Sequence, residues 1–217
     1  MSQTILLLLL NSTIETIYMV IVASVIAIVV GLPLGTILYV TRKGNILEHA
    51  FAHQILAGIV NITRSIPFVI LMFAVIPLTR YLIKTSIGTN AAIVPLSLCA
   101  IPFLARVVEG ALLEVNRGLI EAASAMGATI RQIILKVLIP EALPGIINGL
   151  TLTMISLVGY SAMAGAIGGG GLGDLAIRYG YQRFNITIML ITIVIMIIFV
   201  QSIQYFGDKL AKRFSHV

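Results

Sequence analysis

The sequence predicts an all-α polytopic membrane protein, and three observations carry that prediction. Hydrophobic residues make up 59% of the 217 and charged residues only 10%, with a mean hydropathy of +1.09, whereas a soluble domain carries about 25% charged residues. Five apolar stretches are each long enough for a helix that crosses a bilayer. They read as spans at about residues 14–40, 55–79, 91–108, 145–167 and 186–206. Between the third and fourth lies one long polar break, which no bilayer-crossing helix tolerates.

Residues 16–40 hold no charged side chain and end at Arg42-Lys43-Gly44. Gly31, Pro33 and Gly35 within them predict a kink, which membrane helices accept when neighbours satisfy the freed backbone groups. The ILLLLL run before this span lacks a basic flank and a convincing cleavage site, so no removable signal peptide is expected. Residues 48–61 are mixed. His49 and His53 share a helical face beside Glu48, but two nitrogens make a poor metal site. A surface helix with two wet histidines is the simpler reading. Arg64 then requires a polar boundary or the bundle interior, because arginine at mid-bilayer costs about 2.5–3.5 kcal/mol on insertion scales. Residues 80–90 read as a short loop, and the third span carries Pro95 and Pro102.

In the polar break stand Glu109, Glu114, Arg117, Glu121, Arg131, Lys136 and Glu141, which places it outside the hydrocarbon. After the fourth span, Gly168 to Gly171 and Gly173 form a glycine-dense loop, followed by Arg178 and Arg183. Lys209, Lys212 and Arg213 close the chain. Five spans put the termini on opposite sides. Arg42, Lys43, Arg106, Arg117, Arg131, Lys136, Lys209, Lys212 and Arg213 flank one side, against Arg80, Lys84, Arg178 and Arg183 on the other. The positive-inside rule makes the richer side cytoplasmic, with the N-terminus outside and the C-terminus inside. The net charge of +6 thus reports orientation and not a nucleic-acid partner, since the basic residues are scattered. Cys99, the single cysteine, reads as a small hydrophobe.

Several motifs fail on inspection. Gly168, Gly170 and Gly173 fit G-x-G-x-x-G, but a membrane helix precedes them where a dinucleotide site needs a strand. No phosphate-binding G-x-x-x-x-G-K-[ST] occurs anywhere in the sequence. Gly159-Tyr160-Ser161-Ala162 resembles an intramembrane serine nucleophile, yet His49, His53 and His216 all lie in interfacial or terminal segments. No span carries an acid in its middle third, which argues against a proton-coupled carrier. No cofactor, no metal and no catalytic residue is expected.

Residues 118–140 are the polar anomaly. Residues 118–126 read as a short alanine-rich helix, ended by Gly127. Thr129 opens a second helix, with Gln132 at capping-box spacing. Ile130, Ile133, Ile134 and Val137 recur on one face, and Pro140 and Pro144 mark the far end. The pair is too short to span and too apolar to stand free, so it predicts a docking element for another protein. Glu121 is expected to pair with Arg117, one turn back, or with a basic group on that partner.

The same residues carry a resemblance. Glu121-Ala122-Ala123, Gly127 three residues later and Pro140 at its distance resemble the E-A-A…G…I-x-L-P signature of the membrane subunits of type 1 binding-protein-dependent ABC importers. Arg64-Ser65-Ile66-Pro67-Phe68, the run 157–163 and Gly170-Gly171-Leu172-Gly173 look like the permeases of methionine importers. That resemblance implies one permease domain over residues 13–208, with residues 118–140 as a cytoplasmic coupling element. It implies a homodimer in the bacterial cytoplasmic membrane, driven by two copies of a separate ATP-binding subunit. The solute would come from an extracytoplasmic methionine-binding protein or lipoprotein, and be methionine, L- and D-. Glu121, Ala122, Ala123, Gly127 and Pro140 would couple to the ATPase, while Tyr160, Ser161 and Met163 would line the path or gate. The alternatives are a permease of the same fold for another small amino acid or solute, or an ion-coupled secondary carrier.

Overall fold

The computed structural model describes residues 3–215, which are helical throughout apart from their connections. Ten α-helices follow in order: α1 Gln3–Thr41, α2 Ala50–Ser65, α3 Phe68–Ala74, α4 Ile76–Ile83, α5 Thr89–Leu113, α6 Arg117–Ala125, α7 Ile130–Ile133, α8 Ile139–Ala166, α9 Gly171–Leu175 and α10 Ile186–Phe214. Two wider π-helical segments, Ile134–Leu138 and Ala176–Tyr181, interrupt them.

Four stretches are long and apolar enough to cross a membrane: Ile5–Thr41, Thr89–Leu113, Ile130–Ala166 and Ile186–Phe214. A fifth arises if α2 and α3 count as one span, and here the structure corrects the sequence reading. The expected continuous helix over residues 55–79 is broken at Ile66–Pro67 with a bend of 103°. Proline pushes its predecessor out of the helical region, and Ile66 accordingly sits at φ −82°, ψ 122°. Beyond it α3 and α4 are only seven and eight residues long.

The centre of the bundle is α5. It runs parallel to α1 and antiparallel to α8, and both neighbours approach it through glycine. A Cβ at Gly31 would meet the Ile101 carbonyl and one at Gly35 the Ala105 carbonyl and Val108. From α8, a Cβ at Gly145 would meet Ala111 and one at Gly149 would meet Val107. In turn α10 packs antiparallel on α8, with Gly207 against Thr151. The buried core follows these contacts: Met19, Val20, Ala23 and Ala27 from α1, Leu96, Leu104 and Val108 from α5, and Leu157 and Val158 from α8. Gly31, Pro33 and Gly35 lie inside an uninterrupted α1, so the two glycines serve close approach.

Two further corrections concern proline and charge. Pro140 and Pro144 do not end the polar helix pair, because the chain runs on from Ile130 to Ala166. An α-helical Pro140 ring would clash with the carbonyl four residues back. The π-turn just before it, where Ile139 donates to the Ile134 carbonyl, widens the backbone there. Glu109, expected in the polar break, belongs to α5 and is 3% exposed. Replacing Gly35 with leucine should cost about 2 kcal/mol by overpacking and lower the melting midpoint of the detergent-solubilised protein by roughly 5 °C. Gly110→Ala, whose new methyl meets nothing within 4 Å, should leave that midpoint unchanged or slightly raised.

Candidate functional site

The helix pair is assembled from local capping chemistry. Asn116 opens α6 by accepting from the Gly118 amide at 2.8 Å. At its far end Gly127 takes φ +80°. The Gly127 amide donates to the Ser124 carbonyl and the Ala128 amide to the Ala123 carbonyl, at 3.0 and 3.1 Å. This is the Schellman arrangement, and its left-handed residue favours glycine. Thr129 then caps α7 in a reciprocal box: the Gln132 amide donates to Thr129 Oγ1 at 3.3 Å, and Gln132 Oε1 accepts from the Thr129 amide at 2.8 Å. A turn only three residues wide therefore fixes the angle between the two helices.

Ala123 and Ile133 anchor the pair to the core, with Ile120, Ala128, Ile134 and Val137 packed around them. Ile130, expected on that face, is exposed. Outward the pair shows Leu119, Glu121, Ala122, Ala125, Ile130 and Met126, the last at 82% exposure. Pro140 is also exposed. Among the described residues Glu121 and Arg117 form no ion pair, so the expected one-turn bridge is not made.

Of the three residues expected to line a path, Tyr160 and Met163 share one side of α8 and Ser161 is turned away from them. Tyr160 is half-buried and stacks on Phe68 of α3, with centroids 4.8 Å apart and ring planes 16° from parallel. Ser161 is buried and donates to the Val158 carbonyl at 2.7 Å. Met163, three residues beyond Tyr160 and so on the same side of α8, is 47% exposed. Of the histidines, His49 caps α2 by accepting from the Ala52 amide. His53 Nδ1 lies 3.0 Å from the Leu38 carbonyl, which can only accept, so this nitrogen carries the hydrogen. His216 lies outside the described residues.

Two polar clusters escaped the sequence reading. At the end opposite the helix pair, Glu15 and Thr16 of α1 cap α9. The Gly171 amide donates to Glu15 Oε2 at 2.7 Å and the Leu172 amide to Thr16 Oγ1 at 2.8 Å. The Gly88 amide donates to the Gly168 carbonyl, so the glycine loop expected here is held from two sides; it is non-helical over residues 168–170, while Gly171 and Gly173 already belong to α9. One turn on, Asp174 accepts a two-point bond from Arg178, at 2.8 and 2.5 Å. That carboxylate holds the guanidinium above its already high ordinary pKa. The signal for Glu15 was present: it is the sole charged residue before Arg42. The second cluster joins α2 to α5. Arg106 pairs with buried Glu109 at 2.5 Å and donates to Asn61 Oδ1 at 2.9 and 3.2 Å. An Arg and Glu three apart inside an apolar stretch was its trace in the sequence.

Fold and site together define a multi-pass α-helical membrane subunit. Residues 27–216 match the model of the binding-protein-dependent transport system inner membrane component, and the chain belongs to that family. It is 56% identical over 209 residues to a Vibrio cholerae protein named "Probable D-methionine transport system permease protein MetI", covering 96% of this chain and 93% of that one. It is 54% identical to the D-methionine transport system permease protein MetI of Escherichia coli K12 over 76% of each chain. Among solved structures, a chain of the MetNI methionine ABC transporter in an inward-facing conformation superposes with TM-score 0.97 at 50% identity, covering all of both chains. An amino acid ABC transporter chain at 18% identity and TM-score 0.77 shares the fold. The protein is thus the permease subunit of an ABC importer in the bacterial inner membrane, and hydrolysis of ATP belongs to a separate subunit.

Glu15→Ala should free the Gly171 amide. Hydrogen–deuterium exchange over residues 168–176 should rise by about tenfold, the equivalent of one lost charge-assisted hydrogen bond, while exchange in the helix pair stays unchanged.

Proposed function

We propose that this chain is the permease of a methionine importer, working as a homodimer with two ATPase subunits and fed by an extracytoplasmic methionine-binding protein. The observation that carries the substrate is 56% identity across nearly the whole chain to a permease named for D-methionine transport. The full-length superposition on the MetNI chain supports the same reading. No side chain here selects a thioether by chemistry, so the substrate rests on likeness alone, and L- and D-forms are both expected.

In this reading residues 13–208 form the permease domain and residues 118–140 the coupling element, on the cytoplasmic side. Support comes from the nine-to-four excess of flanking Arg and Lys on that side and from the exposed apolar face of α6 and α7. Such a face, rimmed by Glu121 and Arg117, suits a groove on a folded partner. Ala122 lets the partner's surface approach closely, and Gly127 sets the angle between the helices. The end bearing Glu15 and residues 168–173 faces outward, where a binding protein would dock. Nucleotide binding draws the ATPase subunits together, and the coupling elements move with them and rock the two bundles. Tyr160 stacked on Phe68, with Ser161 and Met163 nearby in the chain, is the gate region.

Glu121→Lys, or Gly127 replaced by a bulky residue, should leave membrane insertion intact while reducing co-purified ATPase to about a tenth, a loss near 1.4 kcal/mol. Full co-purification together with full uptake in both variants would overturn the coupling assignment. For the substrate, the chain is purified with its ATPase and reconstituted with the binding protein. D- and L-methionine should stimulate ATP hydrolysis and accumulate in proteoliposomes; stimulation by a different amino acid alone would reassign it.

A further inference from the structure

Arg64 stands in the last turn of α2, just before the break at Ile66–Pro67. Its guanidinium lies 5.8 Å from the centre of the Phe103 ring on α5. Phe103 follows Thr89, the first residue of α5, by fourteen positions and precedes Leu113, the last, by ten, so at 1.5 Å per residue the ring sits about 21 Å from one end and about 15 Å from the other. Arg64 is therefore held near mid-depth of a membrane helix, and its side chain is exposed.

The charges around it do not balance. Arg106, one turn further along α5, is matched by Glu109 and spends its remaining donors on Asn61 and the Ala57 carbonyl. The ion pairs among the described residues are Arg106–Glu109 and Arg178–Asp174, so Arg64 has no carboxylate and the cluster carries one unmatched positive charge. Asn61 and Ser65 are exposed beside it. A face carrying Asn61, Arg64 and Ser65 at this depth is poorly suited to lipid; intramembrane arginines point into the bundle interior or a wet cavity. The Phe103 ring occupies the guanidinium's face and leaves its in-plane N–H groups available. Those groups match a carboxylate with two parallel hydrogen bonds. Immediately beyond the break, Phe68 stacks on Tyr160, so the free cation adjoins the gate region in the chain.

We propose that Arg64 is a transient carboxylate-binding subsite on the translocation path, taking the α-carboxylate of the amino acid as it crosses. The inference rests on the amino-acid importer reading above. It supplies what that reading lacks, a group in this chain that touches the solute: the carboxylate of a zwitterion needs a counter-charge where water is scarce, and Arg64 is the uncommitted one.

The permease–ATPase complex, without binding protein, is titrated with L-methionine and with L-methioninamide, which keeps the thioether but has no carboxylate. Saturation-transfer NMR reads weak, fast-exchanging contact. L-methionine should give a signal at least about fivefold stronger than the amide; Arg64→Gln should remove that difference, and Arg64→Lys should restore part of it as a point charge without the fork. Equal signals from the two ligands on the unaltered complex, no signal from either, or an unchanged preference in Arg64→Gln would each overturn the proposal. Should Arg64→Gln fail to assemble, the comparison of the two ligands on the unaltered complex still decides. In proteoliposomes with binding protein, Arg64→Gln should lower methionine uptake by about tenfold. If the unaltered complex takes up no methionine at all, the importer reading fails; if it does and Arg64→Gln matches it, the subsite alone fails.

Discussion

Close approach of α1 and α8 to α5 is the constraint on which the bundle depends. Lipid tails are as apolar as leucine, so helices in a membrane gain little from hiding hydrophobic surface from one another. They associate through van der Waals contact, which requires backbones to come near. Each major contact here has a glycine on one side and a larger group on the other: Gly31 and Gly35 against Leu104 and Val108, Gly149 against Val107, and Gly207 against Thr151. Because α5 supplies the larger partner to both neighbours, it is the one helix that a change of packing on either side must disturb.

That architecture makes the short elements intelligible. Because α1 and α5 are parallel, the chain must return between them from one end of the bundle to the other; α2 covers part of that path, and α3 and α4 cover the rest as short pieces packed on α5 around Phe68, Leu71 and Met72. The 103° turn that separates α2 from α3 exposes backbone that only a buried or wetted position tolerates. It lies beside the polar residues of α2, at Asn61, Arg64 and Ser65.

What the sequence made legible was local. Long apolar runs gave the helices that cross, because that signal needs no partner. Gly127, Thr129 and Gln132 gave the geometry of the helix pair, since Schellman and capping-box bonds close within a few residues. Proline was read less well. Pro67 breaks a helix that was expected to continue, while Pro140 sits in one that was expected to stop, and the difference lies in a π-turn that sequence periodicity does not display. Contacts between distant parts of the chain were illegible. Glu15 and Gly171 are 156 positions apart and Arg106 and Asn61 are 45, so neither member of each pair announces the other. Of the neighbours Tyr160, Ser161 and Met163, the helix keeps the first and last on one side and turns Ser161 away from both.

The passage from α7 through the π-turn into α8 has a mechanical consequence. Ile130–Ala166 is 37 residues without a loop, a rod about 55 Å long. A loop at Pro140 would have absorbed small displacements as slack; a continuous helix transmits them as torque. The widened turn at Ile134–Leu138 does not interrupt that shaft. It sets the angular phase between the short helix at one end and Tyr160 near the other, so inserting or deleting a residue there would rotate the gate region relative to the helix pair by about 100° while changing the length of the shaft by only about 1.5 Å.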